Sequence, residues 1–147
     1  MTGTNGKTTT TTLIGEILKQ AGKKAGIGGN IGVPFISLID DKPKDFIVLE
    51  VSTFQLEGIK QFKPHIGVIL NITPDHLNRH KTMECYASLK GRIALNQTEE
   101  DFLILNQDDP IVLDAGRGKR ARKHYFSINA EVDSGAFFEN GALFLRQ

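Results

Sequence analysis

The sequence has a single cysteine, Cys85, and no tryptophan. One cysteine excludes a disulfide within the chain and fits a reducing cytoplasm. It sits in no catalytic-cysteine pattern and reads as a plain core or surface thiol. No apolar run approaches the roughly 20 residues that a membrane-spanning helix needs. The first residues lack a signal-peptide pattern, with glycine and threonine where an apolar stretch would stand. An excess of one charge is missing too: 18 Lys and Arg face 17 Asp and Glu, for a net charge of +1. The broad basic field of a nucleic-acid binder is therefore absent. The one basic run, Arg117 to His124, carries no interleaved aromatic platform and reads as a solvated loop or strand entry. Repeats and linker-like stretches are also absent. What remains is 147 residues, 39% hydrophobic and 24% charged, the composition of one globular domain with a real core.

The most informative segment comes first. Thr2-Gly3-Thr4-Asn5-Gly6-Lys7-Thr8 meets Gly-x-x-Gly-Lys-Thr, although Met1 stands where the full phosphate-loop pattern has glycine. Consecutive backbone N–H groups in such a loop curl around an anion, and the following helix adds its positive end. Lys7 would reach the outer phosphates, and the Thr8 hydroxyl would bind Mg²⁺. A glycine-rich turn capping an ordinary helix is the plainer alternative. The helix predicted over Lys7–Gln20 speaks against it, with Leu13, Ile14, Ile17, Leu18 and Ala21 on one stripe and Gly22 at the stop position.

Beyond that helix, Lys24–Gly28 reads as a strand, Gly29–Gly32 as a turn and Pro34–Ile39 as a short helix. Phe46–Val51, Ile66–Leu70 and Phe102–Leu105 are apolar runs of the kind buried on both faces of a parallel sheet. Thr82–Gln97 reads as a helix with Thr82 as N-cap. Strand–helix alternation predicts an α/β fold, a three-layer, mostly parallel sheet with every strand's C-terminal end along one edge. Lys123–Ile128 reads as a further strand. Asn140-Gly141 between two strand-like runs predicts a small antiparallel hairpin appendage at the C-terminus.

Polar residues stand out at three places, the first two along that edge. Glu50 ends a buried-type strand, where a lone carboxylate is costly unless paired or bound to metal, so a Mg²⁺ role is the better reading. Asp75-His76 follows the next strand, and spacing alone supports turn chemistry and a functional pair equally. Lys90 recurs with Met83, Tyr86 and Ile93 on one helix stripe. The spacing alone favours a snorkelling lysine with its ammonium in solvent. A desolvated, covalently modified lysine is the alternative.

Together these residues resemble a known family. The loop from Thr2 to Thr9, Gly28-Gly29-Asn30-Ile31-Gly32, Leu49 to Glu57 and Asn71 to Leu77 look like the middle domain of the Mur ligases, in the same order. Gly29-Asn30-Ile31-Gly32 and Phe54-Gln55-Leu56-Glu57 are similar to its D-glutamate-adding branch. The likeness covers essentially the whole chain and fades after about Asp108. It implies a bacterial cytoplasmic, ATP-dependent ligase of peptidoglycan synthesis. In such an enzyme the carboxylate of UDP-N-acetylmuramoyl-L-alanine is phosphorylated and D-glutamate attacks the acyl phosphate.

The resemblance also implies roles. Gly3, Thr4, Asn5, Gly6, Lys7, Thr8 and Thr9 would hold ATP. Thr8 and Glu50 would share one Mg²⁺, and His76 and a carbamylated Lys90 would serve a second. Lys7, His76 and Lys90 would be the catalytic set. Asn30, Ser52, Gln55 and His76 would contact the muramoyl-alanine substrate. Two positions depart from the family pattern: Thr53 where serine is expected, and Asn78 where aspartate is expected. The resemblance further implies flanking N- and C-terminal domains absent from the chain, a phosphate-loop strand cut off at Met1, and an inactive fragment. A sister Mur ligase, a folylpolyglutamate synthase and a nucleotide-binding module without turnover are the competing readings.

Overall fold

The computed structural model describes residues 1–39, 42–75 and 82–147. Two short strands, β1 (Ala25–Gly29) and β2 (Phe46–Glu50), pair in parallel. Five more form a second ladder in the order β3 (Ile66–Ile69), β4 (Phe102–Asn106), β5 (Arg122–Ser127), β6 (Gly135–Glu139) and β7 (Ala142–Arg146). The pairs β3–β4, β4–β5 and β5–β6 are parallel, and only β6–β7 is antiparallel. The C-terminal hairpin turns at Asn140 (φ 49°) and Gly141 (φ 80°), the left-handed pair that a tight hairpin requires. It is continuous with the main sheet through β6.

Met1 and Thr2 join the two ladders. The Met1 α-amino group donates to the Leu49 carbonyl, and Val51 N donates to Met1 O at 2.8 Å. On the other side Thr2 N donates to Val68 O and Leu70 N to Thr2 O, with Thr2 bridged in parallel to Ile69. Two residues thus occupy the strand position between β2 and β3. They aim the phosphate loop at the C-terminal edge despite the truncation expected at Met1.

Helix α1 spans Lys7–Gln20. Only part of the expected apolar stripe faces the sheet: Ile14 and Leu18 are half-buried beside the buried Thr11 and Gly15, whereas Leu13 and Ile17 are more than half exposed. The cause is close approach to the sheet. A Cβ on Gly15 would lie 2.3 Å from Ile27 Cδ1, so glycine sets the contact. Ile27 is paired with Val48, and alternation sends Leu49 to the opposite face. There Leu49 packs on the main core with Leu56, Ile69, Tyr86, Ile93, Leu103, Leu105 and Val112.

That second face carries α2 (Thr53–Glu57), α3 (Met83–Gly91) and α4 (Pro110–Ala115). Three layers result, as the alternation implies. The short helix expected at Pro34–Ile39 is a 3-10 turn over Phe35–Leu38. The helix expected to reach Gln97 ends at Gly91 and tightens into a 3-10 turn, Arg92–Ala94. Beyond it Gln97 turns inward and donates to Pro64 O and Phe102 O. Thr82 is the N-cap of α3, accepting from Cys85 N at 3.2 Å. Two further helices, α2 and α4, carry local start signals. Ser52 and Gln55 form a capping box on α2, and Asp109-Pro110 supplies the N-cap and first turn of α4.

Candidate nucleotide site

The phosphate loop, residues 3–8, leaves the sheet between the ends of β2 and β3. Gly6 is left-handed (φ 76°) and stands at the N-cap of α1 without any side-chain cap. The amides of the first helical turn are thereby left for an anion. The segment after β3 clamps the loop from one side. Thr4 N donates to Asn71 O, and Asn5 N donates to Asn71 Oδ1 at 2.8 Å. Asn71 returns an amide bond to Asn5 O, while Thr73 N donates to Thr4 Oγ1 at 3.0 Å. Lys7 folds back so that Nζ donates to Thr4 O. Thr9 is exposed on the first turn of α1.

Glu50 is 2% exposed at the end of β2. Thr8 Oγ1 donates to its Oε2 at 2.8 Å and Asn30 Nδ2 to its Oε1 at 3.0 Å. Asn30 is held there because its backbone N also bonds Glu50 O. Gly29 makes this possible: its φ is 113°, and a Cβ would lie 2.2 Å from Glu50 O. Hydroxyl and carboxylate meeting at this distance are hard oxygen donors suited to Mg²⁺, which takes few protein ligands and keeps phosphate oxygens and water. Among the described residues no three of His, Cys, Asp and Glu gather into a fuller metal site.

Lys90 does not snorkel. It is 2% exposed, donates from Nζ to Gly3 O at 2.9 Å, and lies 4.4 Å from the centre of the Tyr86 ring. Desolvation is the main cause that lowers its pKa to about 8; the Lys7 charge adds to this and Asp75 opposes it. Tyr86 Oη in turn lies 3.4 Å from Thr4 Oγ1. Burial is also the main cause that raises the Tyr86 pKa.

Lys90 and Tyr86 line a cavity of about 130 Å³ together with Gly3, Lys7, Asn30, Ser52 and Asp75. Two lysines against one acid, Asp75, in its wall favour an anionic occupant. Of the expected substrate contacts, Asn30 and Ser52 reach this cavity. Gln55 places its side-chain oxygen on Ser52 N, and lines a separate apolar hollow with Phe35, Leu49 and Phe62. His76 and Asn78 lie outside the described residues. Thr53, the other departure, is buried at the start of α2.

Arg92 carries no local sequence signal of its role. Its guanidinium caps the end of α2, with Nε on Leu56 O at 2.8 Å and Nη2 on Ile59 O at 2.9 Å. The helix bearing Lys90 is thereby tied to the segment bearing Ser52.

Comparison with known proteins identifies the family. The Mur ligase middle domain profile matches residues 1–142, well past the point where the motifs fade. UDP-N-acetylmuramoylalanine--D-glutamate ligase from Caldanaerobacter subterraneus subsp. tengcongensis is 49% identical over 147 residues, covering 99% of this chain and 33% of that protein. The protein of the same name from Alkaliphilus metalliredigens is 52% identical over 141 residues, covering 95% and 31%. The chain therefore spans about a third of the length of these relatives. Among solved structures, MurF ligase from Thermotoga maritima in complex with ADP superposes with a TM-score of 0.72 at 23% identity, covering 97% of this chain and 36% of that one. MurF from Acinetobacter baumannii gives 0.72 at 24%, covering 92% and 31%. At such identities the likeness is one of fold. With the profile spanning nearly every residue and the phosphate loop, Glu50 and Lys90 gathered at one edge, the chain belongs to the Mur ligase middle-domain family.

Proposed function

We propose that these residues form the ATP-binding middle domain of a D-glutamate-adding Mur ligase, acting in peptidoglycan precursor synthesis in the bacterial cytoplasm. The relatives' names support the amino acid added. No described helix is long and apolar enough to cross a membrane. The observation that carries the site reading is the buried Lys90, bonded to the phosphate loop at Gly3 O and sharing one cavity with Lys7, Asn30 and Ser52.

In this reading Asn5 shapes the loop, and the amides of residues 6–8 with the positive end of α1 hold the ATP phosphates. Lys7 exchanges Thr4 O for an outer phosphate oxygen. Thr8 and Glu50 would hold a first Mg²⁺, and His76 with Lys90 would serve a second. The ions, when bound, neutralise charge on the transferring phosphoryl group. The lowered Lys90 pKa leaves a neutral amine fraction that adds CO₂ and releases a proton, turning a cation into a carbamate. Asn30, Ser52, Gln55 and His76 orient the muramoyl-alanine substrate. Its carboxylate takes the γ-phosphoryl group and ADP leaves. The D-glutamate amine then attacks the acyl carbon, loses a proton and expels phosphate, giving an amide. Alignment within the site supplies much of the rate.

The test is a chimera in which this chain replaces the matching third of the Caldanaerobacter relative. The expected result is phosphate release from ATP that requires both UDP-N-acetylmuramoyl-L-alanine and D-glutamate. Release driven by a different amino acid, or none with a folded chimera, would overturn the proposal. The 147 residues alone are expected to bind nucleotide without D-glutamate-dependent turnover.

A further inference from the structure

Asp109, three residues beyond the end of β4, serves two directions with one carboxylate. Its Oδ1 accepts from Ile111 N at 3.0 Å and Val112 N at 3.2 Å, capping α4. Its Oδ2 accepts from Ile72 N at 2.8 Å, across the sheet edge. Ile72 stands between Asn71 and Thr73, the two residues that clamp Thr4 and Asn5. Asn106 reinforces the same segment, donating from Nδ2 to Leu70 O at 3.0 Å. The neighbouring Asp108 uses the same chemistry elsewhere: its Oδ1 accepts from Ser127 Oγ and its Oδ2 from Ile128 N, bracing the end of β5.

An N-cap alone does not call for a carboxylate, since serine, threonine or asparagine caps a helix as well. Only a carboxylate offers strong acceptors both to α4 and to Ile72. We propose that Asp109 is a positioning residue for the nucleotide site, setting the segment 70–75 against the phosphate loop while it caps α4. This rests on the reading of residues 3–8 as a nucleotide site. Through Ile72 it fixes Asn71 and Thr73, and through them the amides at the loop's entry. Asp75, which lines the Lys90 cavity, follows three residues on.

The experiment compares Asp109→Asn with Asp108→Asn in the 147-residue chain. Asparagine keeps one oxygen for the α4 cap and loses the second acceptor facing Ile72. Amide hydrogen exchange on the nucleotide-free protein reads the brace directly. Exchange at Ile72, Thr4 and Asn5 should accelerate about tenfold or more in Asp109→Asn, with α1 amides unchanged. Asp108→Asn should accelerate Ile128 and leave Thr4 and Asn5 within about twofold. Titration with ATP and Mg²⁺ should show a Kd raised roughly 2- to 30-fold in Asp109→Asn alone. Unchanged exchange at Thr4 and Asn5 in Asp109→Asn, or equal acceleration in both variants, would overturn the proposal. A wild-type chain that binds no ATP would overturn the nucleotide reading, and exchange would still decide whether Asp109 braces the loop.

Discussion

Lys90 Nζ and Gly3 O, 87 positions apart in sequence, meet at 2.9 Å beneath the phosphate loop. A cation is buried there with a carbonyl partner, and its pKa falls from 10.5 to about 8. The native state therefore gives up the Lys90 proton at lower pH than the unfolded chain. Below about pH 8 both states hold the proton and the cost of burial is constant. Between pH 8 and 10.5 the unfolded state binds more protons, so stability rises with pH.

Lys90→Met removes that titration. In CO₂-free buffer the wild type should gain about 3 kcal/mol relative to Lys90→Met as pH rises from 8 to 10.5, and nothing below pH 7. Urea unfolding at several pH values measures this difference. A flat difference across the range would mean that the ammonium is not desolvated.

Glu50 and Thr8 should make nucleotide binding depend on magnesium. Glu50→Gln is expected to weaken ATP binding about tenfold or more in the presence of Mg²⁺. In EDTA, variant and wild type should bind alike. Isothermal titration under the two conditions decides it, since equal losses in both would indicate a misplaced loop and not a missing metal ligand.

Gly29→Ala should destabilise the chain by about 2–4 kcal/mol, because it combines a positive φ with a backbone collision. The added Cβ would face Glu50 O at 2.2 Å. Gly58→Ala is the control: its Cβ would meet nothing nearer than 4.0 Å, and its φ is −89°. That change should stay within about 0.5 kcal/mol. Thermal unfolding distinguishes the two.

The core should respond as a close-packed one. Leu103 is fully buried in β4, and Leu103→Ala should cost about 2–5 kcal/mol in urea unfolding. Ile17→Ala on α1 should cost far less, because Ile17 is 55% exposed. Comparable losses would mean that the Leu13 and Ile17 side of α1 is packed as well.

Local signals in the sequence determined much of this protein. The bounds of α1, the β2, β3 and β4 runs, the Thr82 cap and the Asn140-Gly141 turn each depend on neighbours within a few residues. The loop pattern and Glu50 were legible for the same reason. Tertiary structure decided the rest. The periodicity of α1 marks apolar residues, but the contact between Gly15 and Ile27 chose the face that packs. The spacing around Lys90 could not separate a solvated ammonium from a buried one, since its partner, Gly3, belongs to the far end of the chain. Met1 and Thr2 take a strand-like place only because β2 and β3 present backbone groups on either side. Asp109 reads locally as a helix cap, and its second oxygen gains meaning only when β3 and β4 pair in register. Sheet pairing joins residues by hydrogen bonds between segments, and no local pattern of residue types records which segments will meet.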